Sequence, residues 1–184
     1  MNRIVTTIAA GAFASTLVLG AALAQNPTVG GAEMMADKPI AENASNAPNL
    51  TTLVAAAKAA GLVETLAGEG PFTVFAPTNE AFEKLPEGTV ENLLKPENQE
   101  QLKKVLLAHV VPGKVTAESA MSMVEKDGGA HNTTTASQDA LTLKVQDGKL
   151  VVFDESGGSA TVTTADVMQS NGVVHVIDSV LLPK

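Results

Sequence analysis

Three histidines, His109, His131 and His175, are the side chains best suited to proton chemistry near neutral pH. Their separations match none of the short spacings that present two imidazoles to one ion, so no metal site is expected from them. Cysteine is absent, which removes thiolate nucleophiles, disulfides and Cys-ligated zinc. No serine stands in a G-x-S-x-G elbow, so a nucleophile–histidine pair has no motif to rest on. The carboxylates of Glu80, Glu83, Glu87 and Glu91 are dispersed, and general acid–base work needs an apolar cleft with a perturbed partner beside it. Solvated helix faces explain them better. No catalytic residue and no cofactor is assigned, and the residue types point away from an enzyme.

The surroundings of the histidines differ. His109 follows Leu102, Val105 and Leu106 at helical spacing, which puts it on an apolar stripe and predicts burial. An imidazole buried there must find partners or cost roughly 1–3 kcal/mol for each unmet group. His175 lies between Val174 and Val176 and is expected to play a similar structural part. His131 sits among Gly129, Asn132 and threonines, the composition of an exposed polar loop or edge strand. Asn-x-Ser/Thr triplets at Asn43, Asn49 and Asn132 permit glycosylation in a eukaryotic secretory pathway but arise easily by chance.

The elements that position these residues change character along the chain. Asn49 precedes Leu50, Leu53, Val54 and Ala57, an apolar stripe ending at Gly61, which predicts a capped amphipathic helix. Phe72 to Ala76 reads as a brief strand stopped by Pro77, after which Thr78 is placed to cap a short helix. Thr89 opens another helix, Pro96 a longer one, and Thr116 to Val124 a further one. Beyond Gly128-Gly129 the period becomes two. Leu141, Leu143 and Val145 alternate with polar residues, Asp147-Gly148 predicts a type I′ turn into Lys149 to Phe153, and Asn171-Gly172 turns into an apolar, central strand over 173–182. Helices first and strands later argue for an α+β fold.

Met1-Asn2-Arg3 and the apolar run from Ile4 to Leu23, closing on Ala22-Leu23-Ala24, have the three parts of a secretory leader. The expected organisation is a leader over 1–24 cleaved after Ala24, a flexible linker over 25–37 and one domain over 38–184. The product would be secreted or periplasmic, and not a stable membrane protein once cleaved. The formal net charge is −8, and Arg3 is the one arginine. A mature surface this acidic, without guanidinium forks, repels phosphate backbones, so nucleic acid is not an expected partner. Tryptophan and tyrosine are absent, which leaves few aromatic platforms for stacking on sugars or bases.

Two segments carry a family resemblance. FTVFAPTNEAF from Phe72 to Phe82 and SNGVVHVIDSVLLP from Ser170 to Pro183 resemble the two signature motifs of the fasciclin (FAS1) domain, with LLAHVVPGKV from Leu106 to Val115 resembling its intervening histidine segment. The resemblance covers roughly 38–184 and is closest in character to small secreted bacterial members. It implies a β-wedge packed against a bundle of short helices, and non-catalytic adhesion or contact with a cell-surface or matrix protein or polysaccharide. It further implies a structural motif core of Thr78, Asn79, His109, Ser170, Asn171 and His175. Asp166, Val167 and Met168 resemble a segment that animal members use for integrin contact, and so are a candidate partner surface. Ala108 replaces the tyrosine of those members' Tyr-His pair. An alternative function is that of carrier for a small apolar ligand such as a carotenoid, with Met34, Met35, Met121, Met123 and Met168 lining an adaptable groove.

Overall fold

The computed structural model describes residues 26–183, so the expected leader and its cleavage site lie outside the described residues. Within them the helices are α1 (Ile40–Asn46), α2 (Thr51–Ala59), α3 (Val63–Ala67), α4 (Asn79–Glu83), α5 (Thr89–Leu93), α6 (Gln99–Leu107) and α7 (Ala117–Lys126). The strands are β1 (Phe72–Pro77), β2 (Val110–Pro112), β3 (His131–Thr134), β4 (Ala140–Gln146), β5 (Lys149–Phe153), β6 (Ser159–Gln169) and β7 (Gly172–Ile177). All seven strands form one sheet in the order β2-β1-β7-β6-β5-β4-β3. Only the β1–β7 pair is parallel. The two edges nearly meet, because the Ala136 N–H just past β3 donates to the Val110 carbonyl of β2 at 2.7 Å. That near-closure leaves little unpaired strand edge to template association.

Strand alternation splits the interior in two. On β1 and β7, Val74, Ala76, Val174 and Val176 face a core shared with the helices α1 to α6 and with Leu53, Leu102, Val105 and Leu106. The opposite faces of the same strands send Phe75 and Ile177 into a second core with Leu141, Leu143, Leu150 and Val152, closed by Ala120 and Val124 of α7. The expected hairpin is present, with Asp147 at φ 50° and Gly148 at φ 75°, the double positive φ that a type I′ turn requires. β7 is buried at every position and lies inside the sheet as expected, but it ends at Ile177 rather than Leu182.

Residues 26–37 depart from the expected flexible linker. Val29 and Met34 are 2% and 5% exposed and belong to the first core. The side chain of Asn26 clasps the backbone of Met168, donating to its carbonyl at 2.7 Å and accepting from its N–H at 3.0 Å. Glycine and proline in this stretch shape a packed turn, Val29 bridging Ala32, instead of loosening it. Burying two apolar side chains of this size contributes about 1.5–3 kcal/mol each, enough to hold a short segment down.

Candidate functional site

His109 lies two residues past the end of α6, where helix carbonyls lose their ordinary partners. Its backbone N–H turns to the Leu106 carbonyl, and its own ring satisfies the Val105 carbonyl instead, with Nδ1 at 2.8 Å. Nε2 accepts from the Leu181 N–H at 2.9 Å. These two contacts define a neutral ring protonated at Nδ1, which pins the helix end to the segment following β7. The side chain is 1% exposed. Burial pushes its pKa down to about 4, with the Val105 carbonyl and the charge of Asp154 pulling the other way.

His175 is fully buried on β7 and stacks on Phe75, its register partner on β1, with ring centroids 5.6 Å apart. Its Nε2 is 2.8 Å from the Val115 carbonyl, and its Nδ1 accepts from the Asp166 N–H at 3.3 Å. Burial lowers its pKa too, against the Val115 hydrogen bond and the charge of Asp166. Both motif histidines are thus neutral joints with each ring nitrogen occupied.

The asparagines act over long separations. Asn79 accepts from the Thr52 N–H at 3.0 Å and from the Thr51 hydroxyl at 3.2 Å, and donates to the Pro48 carbonyl at 3.1 Å. It therefore caps α2 from 27 residues downstream. Asn49, expected to be that cap, makes no such bond. Its Oδ1 is buried without a partner and lies against Gly30, where a Cβ would come within 2.5 Å of it. Thr78 caps α4 as expected, its hydroxyl accepting from the Ala81 N–H at 3.3 Å. Asn171 accepts from the Ile40 N–H at 3.0 Å and donates to the Leu66 and Gly68 carbonyls at 2.7 and 3.0 Å. One side chain thereby joins the start of α1, the end of α3 and the β6–β7 turn. Asn43, the first residue of one glycosylation triplet, is buried between both Met35 backbone groups and Gln169. It is committed to the interior.

Two sequence expectations change. Ser170 contributes only its backbone N–H, to the Lys38 carbonyl at 3.0 Å, and its side chain is exposed. The segment Asp166 to Met168 is not a free surface, because the register shifts within β6 turn Val167 inward to 1% exposure. Asp166 takes φ 56° and accepts from the Ala117 N–H at the start of α7 at 2.7 Å, while the Met168 backbone is held by Asn26. Nor do the methionines share a groove: Met34 lines a cavity under α1 and α2, Met123 lines a cleft beside α7, and Met35 is exposed. The first cavity holds about 90 Å³ and is walled by apolar residues such as Ile40, Leu53, Leu66 and Val174. His131 is half-buried on the edge strand β3, its Nδ1 2.6 Å from Asp127.

A near-closed sheet flanked by short helices, with its two signature segments spent on internal hydrogen bonds, defines a structural scaffold of the fasciclin type. The fasciclin-domain family model matches residues 48–183, and the chain belongs to that family. It is 54% identical over 144 residues to protein sll1483 of Synechocystis sp., covering 78% of this chain and 73% of the relative. It is 36% identical over 166 residues to the immunogenic protein MPB70 of Mycobacterium bovis, covering 87% and 77%. A cell surface glycolipoprotein of the same species, MPB83, matches at 36% over 87% of this chain and 68% of its own. Among solved structures, a FAS1 domain pair from the insect cell adhesion molecule fasciclin I superposes with a TM-score of 0.70 at 20% identity, over 79% of this chain. This chain spans about half of that pair, 51%, and the likeness is one of fold. No helix among the described residues is long and apolar enough to cross a membrane.

Proposed function

We propose that the protein is an exported, non-catalytic module that binds a cell-surface or matrix protein or a polysaccharide through its outer loops. The observation that carries this reading is the full internal use of the two motif histidines. Each ring is buried and neutral, with both nitrogens paired to backbone groups, so neither is free to accept a substrate proton. Export is supported by the leader pattern of the first 24 residues and by relatives such as the mycobacterial cell surface glycolipoprotein. The acidic, arginine-poor composition directs partner choice away from nucleic acid.

The test is saturable binding of end-labelled protein to intact cells and isolated envelopes of the producing organism. Unlabelled protein should compete, and pretreatment with protease or glycosidase should assign the partner to protein or polysaccharide. Linear, non-competable uptake would refute the reading. Export is checked by sequencing the amino terminus of the cellular protein, expected at Gln25.

A second reading, a carrier of a small apolar ligand such as a carotenoid, is favoured by the apolar cavity under α1 and α2. Its volume of about 90 Å³ is below the roughly 150 Å³ of a dry cavity that admits benzene. A carotenoid would enter only if those helices moved off the sheet. Protein purified from its natural source and showing visible absorption would establish this reading, and a colourless preparation with no extractable ligand would remove it.

A further inference from the structure

We infer that the carboxyl end of α7 and the adjoining edge of β3 form a binding site for a soft monovalent metal ion, Cu(I) or its redox-inert analogue Ag(I), with the His131 imidazole and the Met123 thioether as protein donors. This inference is independent of the surface-binding function proposed above.

Geometry prepares the imidazole for a metal. Asp127 Oδ2 lies 2.6 Å from His131 Nδ1 and accepts a hydrogen bond from it, so Nε2 is the ring nitrogen left to meet a metal. A carboxylate behind the ring in this way orients a metal-binding histidine and raises its basicity. No hydrogen bond joins Nε2 to the protein. Among the described residues the one buried, unpartnered side-chain nitrogen or oxygen is Asn49 Oδ1, so Nε2 remains open to solvent.

The second donor is placed by the helix. Met123 and Asp127 are four residues apart at the end of α7, which brings their side chains to one face a single turn apart. Asp127 in turn touches His131. Met123 and His131 line the same cleft of about 80 Å³, whose other walls include Phe75, Thr133 and Leu143. Met121 packs against the second core instead. Met123 and His131 thus border one mostly apolar space.

This donor set selects its ion. Among the described residues no group of three His, Asp or Glu side chains is placed to hold a metal, so a zinc or hard-cation site lacks its ligands. Thioether sulfur favours Cu(I), imidazole binds copper well, and a soft ion in an apolar cleft tolerates few ligands. The negative end of the ten-residue helix α7 and the chain's acidic charge both favour a cation here.

Silver titration of the purified protein in chloride-free buffer, read by methionine-methyl and histidine-ring NMR, tests the site. One equivalent should shift the Met123 methyl and the His131 ring together, ahead of Met34, Met35, Met121 and Met168. Met123→Leu, nearly isosteric, should weaken binding by about ten-fold or more, and Asp127→Asn by a comparable factor through loss of ring orientation. The inference is overturned if Met35 or Met121 responds at the same silver concentration as Met123, or if Met123→Leu binds as tightly as wild type. Should a variant lose its far-UV circular dichroism, the order of methyl shifts in the wild-type protein decides alone.

Discussion

Lowering the pH probes the joint at His109 directly. The ring titrates near 6.5 when exposed and near 4 when folded, because burial disfavours its cation more than the Val105 carbonyl and Asp154 stabilise it. Protons therefore bind the unfolded chain more readily, and stability rises with pH across this interval. The contribution is complete above pH 6.5, is lost steadily as the pH falls from 6.5 to 4, and falls no further below. A displacement of about 2.5 units at about 1.4 kcal/mol per unit gives about 3 kcal/mol. Protonation at Nε2 also expels the acceptor of the Leu181 N–H, so the segment after β7 should loosen with it. His175, lowered by burial as well, adds a loss of the same sign. The assay is urea unfolding from pH 8 to pH 4 by far-UV circular dichroism, since tryptophan and tyrosine are absent. His109→Gln has no titrating ring. It should be less stable than wild type at pH 8 and lose about 3 kcal/mol less on acidification, so the two curves converge. Parallel curves would mean that the folded ring takes up its proton as easily as the unfolded one, and the argument for a sealed, non-catalytic joint would fail.

Three other substitutions follow from the same geometry. Asn79→Ala removes the acceptor for the Thr52 N–H and should cost about 1–2 kcal/mol, a fall of several degrees in melting temperature. Asn79→Asp keeps that acceptor but loses the bond to Pro48, and should recover about half the loss. Asn171→Ala frees the Ile40 N–H and the Leu66 and Gly68 carbonyls, costing about 2–4 kcal/mol. Amide exchange should quicken in α1 and α3 and stay unchanged in β4 and β5. Deleting residues 1–36 strips Val29 and Met34 from the first core and should cost about 3–5 kcal/mol in urea unfolding. Equal stability of the truncated protein would restore the flexible-linker reading.

Short-range pattern was enough for several of these features. The alternation at Leu141 and Leu143, the Asp147-Gly148 turn, the Thr78 cap and the burial of His109 and His175 all depend on neighbours a few residues away. Local dihedral preference and side-chain period act at that range. The two signature segments likewise carry the family likeness within contiguous stretches of sequence, and the family model over 48–183 agrees.

Tertiary packing decided the rest. Sequence proximity points to Asn49 as the cap of α2, while the working side chain, Asn79, arrives from 27 residues away. Gly30, Gly31 and Pro27 have the composition of a loose tether, yet the burial of Val29 and Met34 in the first core and a clasp reaching 142 residues to Met168 hold that segment in place. Asp166 to Met168 read as an outer surface until the register shifts in β6 turned Val167 inward. The approach of Met123, Asp127 and His131 likewise follows from how α7 ends against β3. Residue order sets which groups can bond and what their neighbours prefer. Which distant groups meet is set by the one arrangement that buries both apolar faces of the sheet at once.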